Sequence, residues 1–293
     1  MTSGDATRYV ESRRCGDAIV TAISEATGPY RVSLAVPEAE WRRELPHADA
    51  EGRLPYGQHV VHIRLGDASI LVDPGLDDPE SAWGRRHAAQ SPDLARTPGV
   101  LAGLASIGVR PEEITHVVIT HAHFDHVVGA TVERDGGLAP RYPRARYLLG
   151  RADREGLRDQ PDSDMAVRLA VIERHGLLDL VDGDREVAPG VTMLHAPGET
   201  PGHAVVRVVA GDARCYALGD LFHDACEVAH LDWAAPWVDL PAMRASRERL
   251  LAEAVPAGAA LVFTHALFPP WGRIGGGADT ASGYRWETID DRR

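Results

Sequence analysis

A run of β-branched residues, ITHVVIT (114–120), passes straight into THAHFDH (120–126), and this junction constrains the fold more than any other feature of the chain. The run has a continuous apolar centre, the pattern of a strand covered on both faces, so it belongs inside a layered sheet. The four polar side chains that follow, His121, His123, Asp125 and His126, lie within six residues of one another. Two histidines at spacing two share one side of an extended loop, and Asp125 and His126 follow as the chain turns. Such a loop can present two pairs of ligands to two neighbouring points. Imidazole nitrogen and carboxylate oxygen suit zinc, with iron or manganese as alternatives.

Three more ligand-type residues stand at the ends of β-rich runs: His203 in PGETPGHA, Asp220 in YALGD and His265 in VFTHA. Loops gather at one edge of a sheet, so these residues are candidates to join the 121–126 loop. Around them, HVVHIRLGD (59–67) and ASILVDPG (68–75) read as a hairpin turning at Gly66-Asp67. Further strands are expected over 144–150, 191–196, 204–210, 214–220 and 258–265, with helices over 99–108, 162–176 and 240–254. Residues 76–98, rich in Pro, Gly and Arg, read as a long connection able to carry a substrate loop. The mixture of hairpins and strand–helix alternation predicts an α/β (α+β) sheet fold layered with helices. Without a linker, residues 1–293 read as one domain. Residues 1–56 form an N-terminal extension or edge segment without a clear periodicity.

The chain carries 43 acidic and 31 basic residues, a net charge of -12, which argues against nucleic-acid binding because phosphate backbones demand clustered Lys and Arg. Cys15, Cys215 and Cys226 are odd in number and irregularly spaced, so no disulfide framework is expected. The N-terminus MTSGDATRYVESRRC has no apolar stretch, and no run reaches membrane-spanning length. The expectation is a cytoplasmic protein acting on a small molecule, without nucleic-acid or membrane partners; a homodimer is compatible with the sequence.

From about residue 57 onward the chain resembles the metallo-β-lactamase-fold superfamily, in which a His-x-His-x-Asp-His signature is followed by a later His, Asp and His. All seven positions are filled. The resemblance implies a four-layer αββα sandwich with His121, His123 and His203 on one metal, Asp125, His126 and His265 on a second, and Asp220 bridging the two. LVDPG matches the family's LVDTG-like turn, which makes Asp73 a candidate to orient the ligand loop. GDLFHD (219–224), PAMRASRERLL (241–251), HALFPPWGRI (265–274) and GYRW (283–286) look closest to the branch of N-acyl homoserine lactonases and methyl parathion hydrolases. No cysteine falls at a ligand position, unlike the antibiotic-hydrolysing enzymes with a Cys ligand, and His123 stands where flavodiiron proteins usually carry an acid.

By this resemblance the chain is a metal-dependent hydrolase holding two divalent ions, Zn2+ first and Fe or Mn as alternatives. A hydroxide bridging them would attack a lactone, ester or phosphotriester. Asp125 is expected to pass a proton to the leaving group, Asp220 to bridge, and His223, three residues further on, to contact substrate or support a ligand. Trp83, Trp233, Trp237 and Trp271 are candidates to line an apolar pocket. Competing readings are an iron-dependent redox enzyme on the same scaffold and a glyoxalase-like thioesterase; the latter usually carries a C-terminal helical domain for which the sequence leaves no room after residue 265.

Overall fold

Alternation along the strands sorts most of the apolar side chains into three large cores, with two smaller clusters beside them. The computed structural model describes residues 6–289, so the first five and last four residues of the expected domain lie outside it. Its first sheet contains β1 (Val10–Cys15), β2 (Ala18–Arg31), β3 (Arg53–Leu65), β4 (Ala68–Val72), β6 (His116–Val118), β9 (Arg146–Gly150) and β10 (Leu178–Val181), neighbours in that order, with β5 (Ala95–Arg96) on β2. The second sheet runs in chain order through β11 (Arg185–Ala188), β12 (Val191–His195), β13 (Ala204–Ala210), β14 (Ala213–Ala217), β15 (Ala260–Val262), β16 (Trp271–Gly276) and β17 (Tyr284–Thr288). A short hairpin of β7 (Thr131–Arg134) and β8 (Gly137–Pro140) stands apart.

On β9, Tyr147 and Leu149 face one core while Leu148 faces another; on β13, Val206 and Val208 turn one way and Val205 the other. The middle core joins the two sheets through Val61, Ile63, Ile70 and Val72 on one side and Met193, Val206 and Val208 on the other. The outer cores cover each sheet with helices. Val100 and Leu104 of helix Gly99–Ser106, with Leu169 and Ile172 of helix Asp164–Arg174, pack on the first sheet. Met243, Leu250 and Leu251 of helix Leu240–Ala254 pack on the second. The result is the expected αββα order. Each fully buried aliphatic side chain contributes roughly 1.5–3 kcal/mol by leaving water.

Two regions differ from the sequence reading. Residues 10–31, expected as an extension or edge segment without clear periodicity, form two strands: β1 closes one edge of the first sheet, and the 14-residue β2 pairs with β3 from Ile19↔Arg64 to Arg31↔Arg53. A bulge between Ser24 and Ala26 breaks the alternation that would have revealed the strand. Likewise the 76–98 connection contains helix Ala82–Gln90, capped by Ser81 accepting from Gly84 N, which buries only Trp83 and Gly84 and so lacks an apolar stripe.

Glu25, beside that bulge, is buried and accepts a hydrogen bond from Leu76 N on the loop after β4. Burial pushes its carboxyl up to about 7, against the pull of Arg96. A folded-state value above the ordinary 4.5 means that stability from the neutral carboxyl is full below that pH and is lost as pH rises to about 7. Glu25→Gln, which cannot ionise, is expected to gain on the wild type in Tm across this window and to keep a constant margin above it. Paired melting curves from pH 4 to 8 check this; a margin that does not change with pH would contradict it.

Candidate metal centre

Strand direction brings the polar loops together. β4 and β6 are parallel, as are β14 and β15, so Asp73, the 121–126 loop, Asp220 and His265 all leave C-terminal strand ends. β13 runs antiparallel to β14, so its entry residue His203 reaches the same edge. Backbone bonds join the sheets there: Ala204 N donates to Thr120 O and His59 N to Thr264 O. Asp153 adds a clamp that the sequence did not reveal. It accepts from Ala122 N, Gly202 N and Thr200 Oγ1, tying the first ligand loop to the turn before His203.

All seven sequence-marked residues lie at this edge. His121, His123, Asp220 and also Glu199 offer donor atoms all within 4.8 Å of one another; Asp125, His126 and His265 form a second such group. Asp220 lies between them, with Oδ1 3.3 Å from His126 Nε2 and 3.2 Å from His265 Nε2, and Oδ2 3.6 Å from His121 Nε2. His203 stands behind the first group, where its Nε2 accepts the Asp220 amide at 3.1 Å. Gly219, at φ +53, permits that approach; a Cβ there would lie 2.8 Å from His203 Nε2.

Hydrogen bonds assign which ring nitrogen faces inward. Nδ1 of His126 bonds Asp73 Oδ2 at 2.8 Å, Nδ1 of His203 donates to Ala196 O, and Nδ1 of His265 donates to Gly57 O. Each turns its Nε2 toward the centre, where that of His203 meets the Asp220 amide. His121 Nε2 and His123 Nδ1 face each other at 2.9 Å, a separation that requires a proton or a cation between two such nitrogens. His126 Nε2, Asp220 Oδ1 and Glu199 Oε2 are buried without a hydrogen bond of acceptable geometry. Orphaned lone pairs of mixed imidazole and carboxylate type, converging at ligand spacing, fit a pair of divalent cations.

The electrostatics of the bare chain follow the same crowding. Burial and the neighbouring His126 drive the His121 pKa well below 6.5, and burial takes His203 down to about 4. Burial opposes charge on His126 too, yet Asp220, Asp73 and Asp125 together raise it. For Asp220, burial is outweighed by His265, His126 and His121, which hold its carboxyl well below 3.8.

Asp73 does what its turn position suggested. With φ at +59 it accepts from Thr120 N and Thr120 Oγ1 as well as meeting His126 Nδ1. Asp73→Asn is expected to weaken metal binding by about 10–100-fold with the fold intact. Competition with a coloured chelator measures it; unchanged affinity would reduce Asp73 to a turn residue.

His223 Nε2 lies 3.4 Å from Asp220 Oδ2, while its Nδ1 lies 3.8 Å from buried Glu227, itself held by Arg247. Burial lowers its basicity, but the Asp220, Glu227 and Glu199 carboxylates push its pKa up to about 9. A cleft of about 490 Å3 opens above the centre, with Tyr30, Tyr56, His87, Phe124 and Trp237 in its walls. Of the four tryptophans singled out, Trp237 lines it; Trp83 stacks on His87, Trp233 stacks on His230, and Trp271 is fully buried between the sheets. Tyr56, stacked on His265 with its hydroxyl 3.2 Å from His265 Nε2, escaped the sequence reading because nothing in LPYG marks it. Glu199 escaped too, and its only signal was an acid inside the Pro/Gly turn four residues before His203.

Residues 53–273 match the family described as the metallo-beta-lactamase superfamily. The chain belongs to it. An N-acyl homoserine lactonase of Bacillus sp is 28% identical over 149 residues, 48% of this superfamily member and 54% of the lactonase. A probable metallo-hydrolase of Mycobacterium tuberculosis (strain ATCC 25618 / H37Rv) is 26% identical over 189 residues, 56% of each. The chain spans about half the length of the curated relatives it matches. Among solved structures, the dizinc quorum-quenching lactonase AidC in complex with a product superposes with a TM-score of 0.76 at 20% identity, over 98% of this chain and 99% of that one. The hydrolase AbOPH superposes with 0.74 at 18% identity, over 96% and 97%. These two likenesses show a shared superfamily fold.

Proposed function

We propose that this chain is a binuclear metal-dependent hydrolase of ester-like bonds, with lactones as the first substrate class and esters and phosphotriesters next. The observation that carries the reading is the pair of donor groups with Asp220 of the first lying against His126 and His265 of the second, beneath an open cleft. The relatives named as N-acyl homoserine lactonases support the choice of lactone.

His121, His123, His203 and Asp220 would hold one cation, and Asp125, His126, His265 and Asp220 the other. When bound, two divalent cations supply Lewis acidity, acidifying water and polarising a carbonyl or phosphoryl oxygen. The chain supplies the rest. Asp73 and Asp153 fix the ligand loops, so little reorganisation is needed as charge develops. Asp125, which receives a long 3.4 Å contact from Gln58 Nε2, would carry a proton to the leaving oxygen. His223, backed by Glu227, faces the same space and can donate to a substrate oxygen. Beside His223 and His265 a narrow slot lined by Val32, Leu34, Leu45 and Leu54 gives an apolar group somewhere to lie.

The test is metal analysis of purified protein with a hydrolysis screen across lactones, esters, thioesters and phosphotriesters. Lactone turnover that requires two equivalents of metal is expected. Thioester turnover alone, or activity in metal-free protein, would overturn the assignment.

A further inference from the structure

The seven-residue signature does not account for one carboxylate at the centre. Glu199 is 5% exposed, its side chain 1%. Oε1 accepts from Trp237 Nε1 at 2.9 Å and lies 3.5 Å from His123 Nδ1. Oε2 is buried without a hydrogen bond, 3.9 Å from His223 Nε2. Among the described residues no Arg or Lys forms an ion pair with it; the ion pairs it makes are with these two histidines. A carboxylate taken out of water needs a compensating cation, because isolated burial of the charge costs several kcal/mol. His223 is shared with Asp220 and Glu227 and His123 with His121, and neither gives Oε2 a hydrogen bond. The donor group that closes within 4.8 Å around His121, His123 and Asp220 is completed by Glu199.

We propose that Glu199 is a further protein ligand of the first cation, beside His121, His123 and Asp220. This rests on the two-metal reading above. Two consequences follow for the centre. Counting His203, whose Nε2 meets the Asp220 amide, the first site offers more donors than a tetrahedral zinc site uses, and a second carboxylate oxygen suits manganese or ferrous iron better than Asp220 alone among imidazoles does. The carboxylate also removes one unit of the positive charge left by the two cations. Trp237, itself half-exposed on the cleft wall, donates to Oε1 and leaves Oε2 for the cation.

A purely structural Glu199, present to anchor Trp237, makes the opposite predictions, and two variants separate the two roles. Glu199→Gln keeps the shape and an oxygen able to accept from the indole but loses the charged ligand. Trp237→Phe removes the indole donor and leaves the carboxylate. Each protein, with wild type, is stripped, titrated with Co2+ and followed by visible absorption, then competed against a chelator with Mn2+ and Zn2+. In Glu199→Gln one of the two cation equivalents is expected to bind about tenfold more weakly or worse, the cobalt bands to change shape, and the Mn2+-to-Zn2+ affinity ratio to fall. Trp237→Phe is expected to keep both equivalents and the wild-type bands. Glu199→Gln with unchanged bands and affinities overturns the proposal, as does a change of the same kind and size in both variants. Wild type that binds no cation overturns the two-metal reading and this one together; wild type that binds two leaves the variants to decide on Glu199 alone.

Discussion

Asp220→Ala is expected to lose at least one of two bound metal equivalents and to cut turnover about 10²–10³-fold or more, because it removes a stabilising group at the reacting centre as well as a ligand. The expectation follows from position. Asp220 lies within 3.6 Å of His121, His126, His223 and His265 at once, and among the described residues it is the carboxylate that faces both donor groups. Its removal leaves those imbalances to the rings: His126, whose charge Asp220 does most to favour against burial, loses its main partner. Mass-spectrometric metal content with steady-state hydrolysis of a lactone checks the prediction. A variant with two tightly held cations and near-wild-type kcat would mean that Asp220 does not bridge.

The second large effect is on stability. Removing cations by chelation exposes the buried lone pairs of His126 Nε2, Asp220 Oδ1 and Glu199 Oε2 as unpaired groups, and with them goes the binding free energy that favours the folded state. A cation present at a thousandfold excess over its Kd contributes about 4.1 kcal/mol. At about 2–4 °C of Tm per kcal/mol for a chain approaching this size, the stripped protein is expected to melt roughly 10 °C lower, and to recover on adding divalent metal. Scanning calorimetry before and after dialysis decides it. A Tm that does not move would show that the polar cluster is satisfied without metal.

Sequence and structure agree best where a signal is local. The 59–67 and 68–75 hairpin, the buried run at 116–118 and the helix at 240–254 each carry their periodicity within a few residues, and each forms where it was expected. Expected and observed ends differ by a few residues, as at β6, whose assigned span ends at Val118 although Ile119 N still bonds Leu148 O. Local signals fail where a strand is held by its neighbour. AISEATGPYR contains Glu25, Gly28 and Pro29 and would not be read as a strand alone, yet β3 pairs with it along its whole length.

What the sequence by itself determined is the chemistry of the site: four ligand-type residues within six positions after a buried strand, and a His, an Asp and a His waiting at later strand ends. Residue type and spacing are written into the chain, so they needed no coordinates. Only the tertiary structure decided which other side chains share that space. Tyr56, Asp153 and Glu199 come from three segments far apart along the chain, and each is a common residue without a pattern around it; of the four tryptophans proposed for the pocket, only the structure singles out Trp237. They meet because parallel strands from two sheets end at one edge, where an ordinary glutamate is buried among ligand-type side chains.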